Sequence, residues 1–249
     1  MRARQRHLNP KDAGATIVLD ARFLNQADNS SVSTWTNRTG ANNFTASDSG
    51  QPLTFKTNSI NGQPAVLFNL ATNNGLKCDI AGGNWYSNSR IFLSVIKFNS
   101  YSNAYNAIYD DYTTSGAPSG STPGATMLIK SNGKLAFYWV ASNGSQPNYD
   151  GTGSNTLNTS SPFIITMVNG PSIFQSFVNG SSDTSTTTAT TPAAGTNVGI
   201  PGIGYSRLFP ARPIAANLGM MLVINNSSSN SLRKRLQNSA AFSFKLACS

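Results

Sequence analysis

Nine aspartates are the only carboxylate side chains in these 249 residues, because the chain contains no glutamate. Cleavage of a glycosidic bond needs two carboxyl groups flanking it, one as acid and one as nucleophile or base. The neighbouring pair, Asp110 and Asp111, is consecutive, so on a strand the two point to opposite faces, and no Asp-x-Asp spacing occurs anywhere. A serine nucleophile would need a base, yet the single histidine, His7, sits in a polar basic stretch and no G-x-S-x-G turn is present. The phosphate-cradling patterns G-x-x-x-x-G-K-[ST] and G-x-G-x-x-G are missing too. Cys78 and Cys248 show neither C-x-x-C nor Cys/His spacing, which argues against zinc and redox pairs and favours two free thiols. These residue types argue against an enzyme.

Binding chemistry is better supplied. Sugar recognition uses aromatic faces for pyranose C–H groups and amides or carboxylates for the hydroxyls. Trp85 and Tyr86, and Tyr149 with Asp150, fall in turn-rich stretches beside Asn, Ser and Gly and are the candidate glycan contacts. Trp139 lies within an apolar run and is expected in the core. The charge balance is 18 basic against 9 acidic residues, a net +9, although charged residues make up only 11% of the chain. Arg2, Arg4, Arg6 and Lys11 supply part of that excess from residues 1–12, read as a basic arm suited to an acidic neighbouring subunit or to nucleic acid.

Short apolar runs broken by Gly, Pro, Asn and Ser must carry these groups, and they indicate many strands. They are Thr16–Ala21, Pro64–Leu70, Arg90–Phe98, Thr126–Lys130, Leu135–Ala141, Phe163–Val168, Ile173–Val178 and Leu218–Asn225. Asn132-Gly133 and Asn179-Gly180 suit hairpin turns, so the pairing is expected to be mostly antiparallel. Ser181–Thr191 is expected as an exposed loop or edge segment. One late helix is capped by Asn230 or Ser231, with Leu232 and Leu236 inward and Arg233, Lys234 and Arg235 in water. The apolar runs fall far short of the ~20 residues that cross a bilayer, and no secretory h-region is expected. One domain over residues 13–249 follows the arm.

The order Leu19-Asp20-Ala21, Ser31 to Gly40 around Trp35, Gln51-Pro52 and Asn61-Gly62-Gln63-Pro64-Ala65-Val66-Leu67-Phe68 resembles the concanavalin A-like lectin/glucanase superfamily in its laminin-G-like form, known from extracellular modules and phage structural proteins. Gly202-Ile203-Gly204, a last strand Gly219–Asn225 and a helix before Phe244 agree with it. The resemblance implies an all-β fold, a two-sheet antiparallel jelly-roll sandwich with one short C-terminal helix. Trp35, between polar neighbours, is expected inward, and Gly40 and Gly62 suit positive-φ turns. The resemblance also implies a possible Ca²⁺ at the sheet rim, for which Asn103, Asn106, Asp110 and Asp111 are the acidic loop on offer. Relatives of this fold that hydrolyse sugars use two glutamates, which this chain lacks.

The resulting expectation is a non-catalytic virion structural or display protein, a phage decoration, fibre or tail-associated component. It would be a homo-oligomer that docks on other virion proteins and presents loops to host glycans, with no membrane partner. A carbohydrate-binding or adhesion module of a cell-surface system is the alternative.

Overall fold

A computed structural model describes residues 9–40, 42–46, 53–69, 75–78, 83–86, 89–101, 104–111, 124–140, 148–150, 153–171, 173–186, 195–197, 201–204 and 213–248. Its first strands are β1 (Ala15–Asp20), β2 (Ser31–Val32), β3 (Thr34–Trp35), β4 (Phe44–Ala46), β5 (Leu53–Ile60), β6 (Gln63–Phe68) and β7 (Leu76–Cys78). The middle of the chain forms β8 (Gly83–Tyr86), β9 (Arg90–Ser100), β10 (Tyr105–Asp110), β11 (Ala125–Lys130), β12 (Leu135–Trp139) and β13 (Asn148–Asp150). The last part forms β14 (Pro162–Gly170), β15 (Ile173–Val178), β16 (Ser181–Thr186), β17 (Gly195–Asn197), β18 (Gly202–Ile203), β19 (Ala215–Asn225) and helix α1 (Asn230–Phe244).

Two antiparallel sheets hold nearly all of them. The back sheet has nine strands in the order β16-β15-β14-β9-β19-β6-β5-β2, with β1 also paired to β19. The front sheet has eight, β13-β12-β11-β10-β18-β7-β4-β3, and β8 with β17 makes a separate two-stranded ribbon. This is the expected β-sandwich. Each of the eight runs read as strands contains one, and Ser181–Thr186 is the edge strand of the back sheet. Among the described residues, no helix is long and apolar enough to cross a membrane.

The central strands explain the layering. Along β9, Phe92, Ile96 and Phe98 enter the core between the sheets, whereas Ile91, Leu93 and Val95 face the other way. β19 repeats the pattern with Leu218, Met221 and Val223 inward and Met220, Leu222 and Ile224 outward. A sheet apolar on both faces needs two covers. The front sheet covers one face, and α1 covers the other through Leu236, Ala240, Ala241 and Phe244. Phe244 fits because residue 219 is glycine: a Cβ there would stand 2.5 Å from the Phe244 ring. Trp35 is buried in the inter-sheet core as expected.

Turn chemistry closes the hairpins. Asn61-Gly62 and Asn179-Gly180 both hold two successive positive φ angles, as a two-residue type I′ turn requires. In Asn132-Gly133 only the glycine is left-handed, at φ 74°. The helix begins one residue before the expected caps, on Ser229, whose hydroxyl accepts the Leu232 N–H at 3.3 Å.

One expectation on this helix is overturned. Arg233 is buried, not wet: its guanidinium lies 3.6 Å from the Phe177 ring centroid and donates to Asn230 Oδ1 and Gln237 Oε1. Partners at i−3 and i+4 on the same helix face satisfy its donors, which makes the burial tolerable. Lys234 and Arg235 are exposed, as expected. At the other end, residues 9–12 are not a free arm but a hydrogen-bonded turn: Asp12 N–H donates to Asn9 O at 3.0 Å and Ala13 N–H to Pro10 O at 3.1 Å. Arg2, Arg4 and Arg6 lie outside the described residues, and Lys11 is exposed on that turn.

Candidate functional site

The outward face of the front sheet is where polar and aromatic groups meet. Strands β11 and β12 alternate, so Met127, Ile129, Phe137 and Trp139 enter the core while their neighbours face out, and at an irregularity in β10 both Ile108 and Tyr109 enter it. The outward floor is Ala107, Leu128 and Ala136, a small apolar cluster separate from the main core. Tyr105 and Tyr138 pack against it and stay half-buried. Their rings lie 6.2 Å apart at 75°, and their hydroxyls are 3.3 Å apart. Lys130, opposite Tyr105 in the strand register, brings its ammonium 5.3 Å from that ring's centroid. The register also sets Asn148 opposite Tyr138 and Asp150 opposite Ala136.

Two tyrosine faces, their hydroxyls and an ammonium over an apolar floor form a surface that can stack on an apolar ring face and hydrogen-bond its substituents. Tyr105, Tyr138 and Lys130 were not among the residues singled out from the sequence. A signal was present, because the alternation that sends Trp139 inward sends Tyr138 outward. Asp150, read as a glycan contact, lies on β13 opposite Ala136, and its side chain is outside the described residues.

Tyr149 does not belong to the surface. It is buried in the inter-sheet core with its ring 5.3 Å from Phe174 of β15, which corrects its reading as an exposed platform. Pairing of Phe137 with Tyr149 across β12 and β13 puts both inward. Trp85 and Tyr86 lie on β8, in the ribbon with β17, where Tyr86 is opposite Gly195; their side chains are outside the described residues.

The acidic loop is corrected as well. Asp111 is fully buried and accepts from Arg90 Nη1 at 3.0 Å, linking the first residue of β9 in the back sheet to the end of β10 in the front sheet. The Tyr109 hydroxyl, at 3.0 Å, and the Ala125 N–H donate to the same carboxylate. Burial pushes the Asp111 carboxyl up from the ordinary carboxylate value, and Arg90, the Ala125 N–H and the Tyr109 hydroxyl pull it back. A guanidinium thus sits where a cation would have to bind. Asn106 is buried and donates to Ile129 O at 3.1 Å, Asp110 is buried in β10, and Asn103 lies outside the described residues. Among the described residues no three His, Cys, Asp or Glu side chains gather as metal ligands.

Comparison with known proteins places the fold. No family model matches the chain, and no curated protein sequence matches it significantly. Solved structures do. The chain is similar to domain 4 of AbnA, a GH43 extracellular arabinanase from Geobacillus stearothermophilus in complex with arabinotriose, at a TM-score of 0.61 and 12% identity over 91% of this chain and 98% of that one. The binding domain of Paraclostridial Mosquitocidal Protein 1 matches at 0.60 and 12% identity, over 93% of this chain and 53% of that one. Trypanosoma rangeli sialidase matches at 0.59 and 10% identity over 93% of this chain, which spans 33% of the enzyme. At such identities the likeness shows a shared sandwich fold and nothing finer.

Proposed function

We propose that this protein is a non-catalytic glycan-binding display module that holds an oligosaccharide on the outward face of its front sheet. The observation that carries the reading is the Tyr105–Tyr138 pair, half-buried over Ala107, Leu128 and Ala136 with Lys130 at its edge. Amphipathic tyrosines on a rigid sheet supply contact area at low entropic cost, and strands hold them more accurately than loops would. That a sandwich of the same fold was solved with arabinotriose supports the ligand class. Lack of glutamate and a single histidine in the basic N-terminal stretch support binding without cleavage. In this reading the module is carried on a virion among other virion proteins. The basic N-terminal residues and the low fraction of charged residues motivate that placement.

An array of immobilised oligosaccharides probed with the full chain tests the binding. Retention of at least one glycan class, lost in the Tyr105→Ala/Tyr138→Ala double variant at unchanged melting temperature, is expected. Retention of none, or retention unaffected by the double variant, would end the reading. Mass spectrometry of purified particles tests the placement separately, and absence of the chain from them would contradict it. One observation favours a second placement, as a module of a cell-surface system: the chain matches nearly the whole of a single domain of an extracellular enzyme.

A further inference from the structure

The opposite side of the molecule carries a groove that glycan binding leaves unused. It is a cavity of about 330 Å³ between the back sheet and α1, a size that suits a small molecule, and its floor is the buried side chains of Leu93, Met220, Leu222 and Leu236. Among the described residues, those that line it with charge are Asp20, Arg22 and Arg38. Two guanidiniums against one carboxylate leave one positive charge over. That surplus sits on Arg38. The Asp20 carboxylate is buried and both of its oxygens are taken by Arg22, Oδ1 by Nε at 2.9 Å and Oδ2 by Nη2 at 2.6 Å. Arg38 Nη1 stands 4.0 Å from Oδ2, beyond hydrogen-bond reach.

Arg38 is held in place before any ligand arrives. Its backbone N–H donates to Val18 O at 2.9 Å, and the side chain of the neighbouring Asn37, buried, bonds Val18 N–H and Thr16 O. Its guanidinium carbon lies 3.5 Å from the centroid of the Phe23 ring, which also lines the cavity. At that distance the ring covers one face of the guanidinium, and the N–H groups in its plane remain for a planar acceptor. A carboxylate is such an acceptor. On the helix side Ser239 and Ser243, one turn apart and half-buried, add hydroxyl donors. The floor below offers three leucines and the pliable Met220, with no hydrogen-bonding group, which suits an alkyl chain. A cation would meet the surplus charge as a like charge, a dianion would exceed it, and a neutral alkyl compound would leave Arg38 unanswered. One negative charge on an apolar body matches the cavity.

We propose that this groove binds a small alkyl monocarboxylate, its head on Arg38 and its chain over Leu93, Met220, Leu222 and Leu236. The site stands independently of the sugar-binding face. The test is an NMR titration of the full chain, labelled at its leucine and methionine methyls, with decanoate beside decanol, acetate and decylammonium. Decanoate is expected to bind and to give NOEs from its chain to the Met220, Leu222 and Leu236 methyls. Decanol is expected to bind about tenfold more weakly for want of the charged hydrogen bonds, and acetate and decylammonium more weakly still. Arg38→Gln changes a partly exposed side chain, so it is expected to leave the fold intact and to lose about tenfold in affinity for decanoate with little change for decanol. Ser239→Trp is expected to fill the cavity and abolish both, and Tyr138→Ala to bind as the parent does. No binding of decanoate, equal binding of decanol, undiminished binding by Arg38→Gln, or NOEs to methyls elsewhere, such as Leu128, would overturn the proposal. The glycan array reads the other face, so either reading can fail alone.

Discussion

The two outward faces of the sandwich start from the same strand alternation and are finished differently. On the back sheet the outward positions of β9 and β19 are large aliphatic residues, Leu93, Val95, Met220 and Leu222 among them, and a four-turn helix is laid across them. On the front sheet the outward floor shrinks to Ala107, Leu128 and Ala136, and two tyrosines cover it. Aliphatic surface of the first kind must be buried, at roughly 25 cal/mol per Å². On the front sheet it is the half-buried tyrosines above that floor, not the floor itself, that meet water. The number of aliphatic side chains at the outward positions separates the two faces: the back sheet presents many and is covered by α1, whereas the front sheet presents Leu128 between two alanines beside two half-buried tyrosines.

The strongest way to break the comparison is to cut the tie between the two sheets. Arg90→Met leaves Asp111 buried without its guanidinium, and a loss of about 3–5 kcal/mol of stability at pH 7 is expected in urea unfolding. The pH dependence has a definite sign. Burial raises the folded Asp111 carboxyl above its ordinary unfolded value even beside Arg90, and removing that guanidinium leaves it raised further. Between those values the folded variant holds a proton that the unfolded chain has released, so stability falls as pH rises through the window. The deficit of the variant should therefore shrink in mildly acidic buffer, and a pH-independent deficit would contradict this account of the pair.

Lifting the helix is the next largest effect. Gly219→Val puts side-chain atoms where the Phe244 ring packs, and a cost of about 1–3 kcal/mol is expected, with faster amide exchange in α1 than in the front sheet. Ser229→Ala removes the helix N-cap and should cost about 1 kcal/mol, read as a small drop in the unfolding midpoint. Tyr138→Ala should change stability least, by about 0.5–1 kcal/mol for a half-buried side chain, while abolishing glycan retention. If Tyr138→Ala unfolds the protein as Gly219→Val is expected to, the front face is structural and the contrast between the faces collapses.

The sheets were legible in the sequence because their long strands alternate over enough residues to show a period, and the Asn-Gly turns between them have few conformations available. Short elements were not. Strand β13 has three residues, too few to reveal that Tyr149 follows Phe137 into the core. Arg233 reads as one member of a basic run, since a ring on β15 that covers it lies far off in the chain. Asp110-Asp111 reads as an acidic loop for the same reason: the cation that neutralises Asp111 stands on another strand of the other sheet. The binding face was half legible, through the parity of Tyr138 with Trp139, while the approach of Tyr105 to it depends on strand register two strands away.

The most direct measurement is an NMR titration of the isotopically labelled full chain with an oligosaccharide that the array retains. The account requires the largest shift changes at Tyr105, Tyr138, Lys130 and the β13 amides, with Phe23, Arg38 and Phe242 unmoved. Changes concentrated on the α1 groove, with the front-sheet tyrosines silent, would contradict it.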